Sequence, residues 1–427
     1  KWGTNSYLLS ELEEINRAAR WDYQRDKIML RSNKQLKKIT REMTRKKKLK
    51  YRANSVVEWP APGVCIRCGR LKIYRHYKYT KEIIDIKFGR SSIKRWITKY
   101  TYYYYRCPAC RAVFYNADHP WDRDRYGRNL LLLSAYLNIE LRMTQKRVAV
   151  FFKQVLGFNF SDTVINRFKT KAASLYRPTY DNLLKKIVNG NLIHADETPI
   201  NLNSKIGYIW ALTSMEDVAF IYAPSREGKL VKTLLKDFKG VLITDFYTAY
   251  ESINCLHQKC LLHLIRDLND ELMKEPFNQE IKTLVADFAN LLKPMVETVE
   301  RHGLKARFLR KHKRDVERFF KNLSRRSYET EIAAKCKKRF EKNRQELFTF
   351  LDHDGVPWNN NNAEHAIKSV ALLRRNLGGL STERAICDYL ILLSICETCR
   401  FKGLSFLNFL RSGEKDLDIY EQQGSTR

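Results

Sequence analysis

The spacing of apolar and polar positions changes character several times along the chain. Across residues 7–52, Leu8, Leu12, Ile15 and Ala19, then Leu36, Ile39 and Met43, recur every three or four positions, which predicts helix; the stretch ends in a basic run that includes Arg45, Lys46, Lys47 and Lys48. Pro60-Ala-Pro62 marks a boundary. Beyond it, 72–79 and 100–106 alternate aromatic with basic residues and predict strands. Between 125 and 186 the helical period returns. Helices are expected over 130–141, over 145–156 with Gly157 as the stop, and from a Ser161 cap through Val164, Ile165 and Phe168 to Leu175.

From 191 the pattern shortens. Leu192, Ile193 and Ala195 form an apolar run closed by Asp196, Glu197 and then Pro199, which predicts a buried strand delivering a carboxylate at its end. Residues 207–213 and 218–222, joined by the polar turn 214–217, complete an antiparallel meander. Ser225 is expected to cap a helix holding Leu230, Val231, Leu234 and Leu235. That helix crosses back to a strand in which Val241, Leu242 and Ile243 lead to Asp245, and such a crossover makes the last strand parallel to a neighbour. A short strand near 256–259 and a helix from about Cys260 follow. From 276 to 350 everything reads as helix and is strongly basic. After Pro357, Trp358 and four asparagines open a helix with Glu364 in or near its first turn, where the helix dipole favours an acid even without function. An apolar helix over 385–399, with Cys396 and Cys399 as core residues, precedes a short tail.

Composition narrows the function classes. The 427 residues suffice for two or three domains, and the apolar share of 44% describes a globular chain. The first residue is Lys1 rather than methionine, so the sequence reads as a piece of a longer protein. No apolar run approaches the roughly 18 residues of a membrane span and no signal peptide is visible, so a cytoplasmic, nucleoid-associated protein is expected. Lys and Arg number 79 against 47 Asp and Glu, a formal net charge of +32. That excess points to a polyanionic partner, nucleic acid first.

Three sets of residues carry candidate chemistry. Cys65 and Cys68, then Cys107 and Cys110, form two Cys-x-x-Cys pairs suited to a closed, structural Zn²⁺ site. The aromatic, basic ribbon between them either contacts nucleic acid or only completes a small zinc-folded domain. Around Gly157 two helices resemble a helix-turn-helix, with Arg167, Lys169 and Lys171 able to face DNA, although a plain helical bundle looks much the same. Asp196 and Asp245, at neighbouring strand ends, suit Mg²⁺ or Mn²⁺. Successive strand residues face opposite sides, so only one of Asp196 and Glu197 serves such a site, and Asp196 is preferred.

Three landmarks then line up: His194-Ala-Asp196-Glu-Thr198, Thr244-Asp245-Phe-Tyr-Thr-Ala-Tyr250, and 359–375 with Glu364 inside it. Together they resemble the catalytic region of DDE transposases of the insertion sequence 66 family, and the likeness runs from about Arg125 to the end. The N-terminal zinc-binding segment is also similar, with a ribbon richer in tyrosine; before the asparagine pair stands Trp358 where an acid is common. The resemblance implies an α/β, ribonuclease-H-like mixed-sheet catalytic domain with an α-helical insertion, preceded by a helical DNA-binding region and a four-cysteine zinc-binding domain. It implies Asp196, Asp245 and Glu364 as the catalytic triad holding two Mg²⁺ or Mn²⁺ ions. It also implies the Cys-x-x-His element Cys260 to His263, with Arg266 on the same helical face, as supporting residues.

The expected divisions are a basic arm (1–58), the zinc domain (59–118), a helical DNA-binding region (119–188), the catalytic domain in two parts (189–275 and 353–427) and the helical insertion (276–352). The activity so implied is cleavage at transposon ends and transfer of the 3′-hydroxyl into target DNA, by a homodimer bound to terminal repeats. Rival readings are a DNA-binding regulator with silent acids, or a ribonuclease-H-like nuclease without strand transfer.

Overall fold

The computed structural model describes residues 52–118, 125–202, 205–377 and 382–425. Arg45, Lys46, Lys47 and Lys48, with the rest of the basic arm, lie outside the described residues. Two compact units emerge: 52–82 with 97–118, and 83–96 with the described residues from 125 onward.

In the first unit β1 (Ser55–Glu58) runs parallel to β3 (Ile93–Arg106), which lies next to β2 (Tyr74–Phe88); the short β4 (Val113–Phe114) pairs antiparallel with the end of β3. The strands β2 and β3 extend well beyond the aromatic stretches that predict them. Their turn ends, residues 83–96, count with the second unit, where Ile84 and Ile86 are buried.

The second unit begins with four helices, α1 (Arg128–Ile139), α2 (Gln145–Leu156), α3 (Asp162–Leu175) and α4 (Arg177–Val188). The side chain of Thr144 caps α2 and that of Ser161 caps α3, while Gly157, at φ +68°, ends α2 in the left-handed conformation that glycine adopts without strain. Then come β5 (Leu192–Leu202), β6 (Lys205–Thr213), β7 (Val218–Ala223), α5 (Lys229–Leu234), β8 (Val241–Thr244) and β9 (Leu256–Lys259). Their sheet has the order β7-β6-β5-β8-β9, antiparallel through the meander and parallel from β5 to β9. This is the mixed α/β sheet that the apolar runs predict.

Three details differ. The β5 strand does not end at Asp196 but continues past Pro199, which lies opposite Tyr208. Pairing with β8 stops at His194, so beyond that point the missing proline N–H falls on an edge with no ladder bond to lose. Helix α5 starts at Lys229 behind Gly228, at φ +71°, rather than at a Ser225 cap. The tail contains two further helices, Phe406–Ser412 and Leu417–Ser425.

Past β9 the chain is helical: α6 (Leu261–Lys274), α7 (Gln279–His302), α8 (Ala306–Leu309), α9 (Lys313–Arg325), α10 (Glu331–Lys342), then α11 (Asn361–Leu377), α12 (Glu383–Phe401), α13 (Phe406–Ser412) and α14 (Leu417–Ser425). Two cores result. One packs α1, α3, α4, α11 and α12 to α14 around β5, β6 and β7, with Trp210, Phe220 and Leu392 buried in it. The other sets Val241 and Ile243 of β8 against α6 and the aromatic residues Phe288, Phe320, Phe340 and Phe350. Cys396 and Cys399 belong to the first core.

The long helical excursion is fastened where it leaves and where it returns. Lys259 N–H donates to the carbonyl of Glu346, Gln258 donates to that of Leu347 and accepts from Phe350 N–H, and Leu261 N–H donates to the carbonyl of Trp358. Among the described residues no helix is long and apolar enough to cross a membrane.

Candidate active site

Parallel pairing of β5 with β8 sets His194 opposite Ile243. Two residues on stand Asp196, still within β5, and Asp245, one residue past the end of β8, near enough for the charge of Asp245 to act on the Asp196 carboxyl. Asp196 Oδ1 accepts from Glu197 N–H at 2.9 Å, and Asp245 Oδ1 accepts from Tyr247 N–H at 2.9 Å. Burial pushes the Asp196 carboxyl up to about 7, and the charges of Glu197, Asp245 and Glu364 add to the effect. Glu197 faces the other way. It accepts from the Arg226 guanidinium at 2.6 and 3.0 Å and from the Tyr250 hydroxyl at 2.7 Å, a clamp that holds β5 from behind.

Glu364 lies in the first turn of α11, and the residue that positions this turn is Asn360. Its carbonyl accepts from Glu364 N–H, and its side chain donates to the carbonyl of Ala195 at 2.9 Å and meets His194 Nδ1 at 3.2 Å. Its own N–H donates to Cys260 Sγ at 3.2 Å. One fully buried amide thus ties the start of α11 both to β5 beside Asp196 and to the start of α6. With Asn360 Oδ1 accepting, His194 carries its proton on Nδ1. Burial lowers this imidazole to about 4, so it stays neutral. Sequence reasoning takes the four asparagines together as a cap and misses the role of Asn360. The surplus of asparagines over what a cap needs is the signal that could have found it.

The Glu364 carboxylate is held by Arg266 at 3.2 and 3.3 Å and lies 3.6 Å from His263 Nδ1. Among the described residues, two groups of three or more Cys, His, Asp or Glu bring their ligand atoms within 4.8 Å of one another: Cys65, Cys68, Cys107 and Cys110, and Cys260, His263 and Glu364. The charges of Asp245 and Glu364 act on the Asp196 carboxyl, but these three carboxylates do not close to that spacing.

The four N-terminal cysteines do converge. Cys65 Sγ is 3.5 Å from Cys110 Sγ, and Cys68 Sγ is 3.6 Å from Cys107 Sγ. Each knuckle turns through a left-handed residue, Gly69 after the first pair and Arg111 after the second. Gly69 N–H donates to the carbonyl of Cys65, and Arg111 N–H to that of Cys107. Backbone amides of Cys110 and Ala109 hold the Cys107 thiol down, to about 6, which favours the thiolate that a metal takes. The donor set and its spacing fit a cation such as Zn²⁺.

Among the candidate DNA contacts, Arg167 is exposed and Lys171 half-buried. The expectation for Lys169 is corrected. It is 5% exposed, its ammonium donates to the carbonyl of Ala385, and burial lowers it to about 8, so it fastens α3 to α12 and presents nothing to DNA. On the ribbon, Tyr74, Tyr77 and Tyr79 are exposed. Tyr79 stacks on Tyr102 with ring centres 5.7 Å apart, and the Arg75 guanidinium covers Tyr103.

Residues 123–387 match the model of the transposase IS66 family. Over 382 residues, 82% of this chain and 73% of the relative, the sequence is 24% identical to the uncharacterized protein y4jD of Sinorhizobium fredii (strain NBRC 101917 / NGR234). With more than half of its length inside the family match, the chain belongs to the IS66 family of transposases, enzymes that bind DNA and act in transposition.

Proposed function

We propose that this protein is a DDE transposase that binds transposon ends, cleaves a strand there and transfers the freed 3′-hydroxyl into target DNA. The observation that carries the reading is the approach of three acids from three elements: Asp196 on β5, Asp245 just past the end of the adjacent parallel strand β8, and Glu364 in the first turn of α11, the last two close enough for their charges to act on the Asp196 carboxyl. The strand order and the helical excursion ahead of Glu364 support the ribonuclease-H-like fold expected from the sequence.

The three carboxylates offer only hard oxygen donors, and their mutual repulsion makes a divalent cation welcome, so the residues fit Mg²⁺ or Mn²⁺. Two such ions, when bound, supply Lewis acidity at the scissile phosphate and an activated oxygen nucleophile. Asp196, Asp245 and Glu364 would hold them. Glu197, Arg226 and Tyr250 keep Asp196 in place, and Asn360 keeps the first turn of α11 beside it. Arg266, about half exposed, is placed to exchange Glu364 for a DNA phosphate. Zn²⁺ on Cys65, Cys68, Cys107 and Cys110 folds the first unit, whose tyrosine ribbon joins Arg167, Lys171 and the basic arm in gripping DNA. Two copies synapse two ends.

The test is Asp245→Ala. Purified with end-containing duplexes and Mg²⁺, it is expected to lose both nicking and strand transfer while retaining band-shift affinity. Nicking at the wild-type rate refutes the assignment.

A further inference from the structure

Beside the carboxylates that the proposed chemistry uses, one cluster mixes ligand types. Cys260 caps α6, His263 follows one turn later, and Glu364 faces both from α11, with one ligand atom of each within 4.8 Å of the others. His263 Nδ1 is shielded from solvent and makes no hydrogen bond. Cys260 Sγ receives the Asn360 N–H at 3.2 Å, and the amides of His263 and Leu262 also point at it. Burial raises this thiol above its ordinary range and the amides offset only part of that, so the sulfur waits as a thiol that a soft cation would deprotonate. A sulfur, an imidazole nitrogen and a carboxylate oxygen make three corners of a tetrahedron.

We propose that Cys260, His263 and Glu364 form a second transition-metal site, one that takes Zn²⁺ and leaves its fourth position to water. Thiolate with imidazole selects Zn²⁺ over Mg²⁺, which prefers oxygen alone. Binding releases the Cys260 thiol proton to solvent and displaces Arg266, whose exposed guanidinium now holds Glu364. Zinc here withdraws Glu364 from Asp196 and Asp245, so it is expected to inhibit Mg²⁺-dependent cleavage. That consequence rests on the proposed function; occupancy of the site does not.

The full chain, stripped of metal and titrated with Zn²⁺ by calorimetry without DNA, is expected to bind two ions, one at Cys65, Cys68, Cys107 and Cys110 and one here. Titration with Co²⁺ adds a thiolate-to-cobalt absorption band for each site. Loss of outer-shell support alone costs a metal site about 10–100-fold in affinity, and removing the ligand His263 is expected to weaken the second event at least as much. Cys260→Ser keeps an acceptor for the Asn360 N–H and is expected to lose the second event and its share of the cobalt band. Should that variant fail to fold, His263→Gln, at a partly exposed side chain, carries the test. A single binding event in the wild type overturns the site, as does a second event unchanged in His263→Gln. A wild-type chain that binds two Zn²⁺ ions, yet cleaves no end-containing DNA in Mg²⁺ when only the four-cysteine site is filled, refutes the proposed cleavage and leaves the site standing.

Discussion

At the scale of single residues, Asp196 sets the electrostatics of the site. Its folded-state carboxyl, at about 7, lies above the ordinary aspartate value of 3.8. The folded protein therefore holds this proton more tightly than the unfolded chain does. Stability falls as pH rises from about 4 to 7, and the full cost is present above that window. Asp196→Asn keeps an oxygen for the Glu197 N–H and removes the charge. In chelator it is expected to raise urea-unfolding stability at pH 8 by on the order of 2 kcal/mol, with no gain at pH 4. An equal gain at both pH values contradicts this origin. Strand parity alone separates Asp196 from Glu197. Nothing in the spacing names Arg226 and Tyr250 as partners of Glu197, because they arrive from 29 and 53 residues away. Lys169 misleads for another reason. Charge recommends it, yet it shares the buried stripe of Ile165, Phe168 and Ala172, where its stem packs and one carbonyl receives its ammonium.

At the scale of elements, apolar triplets and caps mark β5, β8, α2 and α3 clearly. What stays hidden is decided by neighbours. The β5 strand runs through Pro199 because its β8 side is free there, and α13 exists because Phe406, Phe409 and Leu410 find the first core. The placement of the first turn of α11 beside Asp196 is equally hidden, since the side chain of Asn360 makes that tie. Asn360→Ala leaves the Ala195 carbonyl and His194 without their partner in a dry setting, a loss of about 2–3 kcal/mol in unfolding free energy. Cleavage is expected to fall with it, as Glu364 loses its fixed approach. Denaturant melts and nicking rates on the same preparation check both, and unchanged values in either contradict the role given to Asn360.

For the whole molecule, charge and zinc make the measurable statements. A chain with a formal charge of +32 that neutralises about six phosphates is expected to show log K falling against log[salt] with a slope near −5. A flat salt response on end-containing DNA excludes phosphate-dominated binding. Cys65→Ser removes one of four converging thiolates, so metal analysis is expected to find that ion lost and limited proteolysis to open 52–82 and 97–118 first. Retained zinc at that site refutes it. The helical excursion after β9 has a consequence of its own. Its return, from Glu346 to Trp358, is latched to the stretch where it leaves, Gln258 to Leu261, so the segment between behaves as a cassette on fixed runners. Its length and surface are free to diverge, or to be grafted from elsewhere, with the acid that follows still delivered to its place.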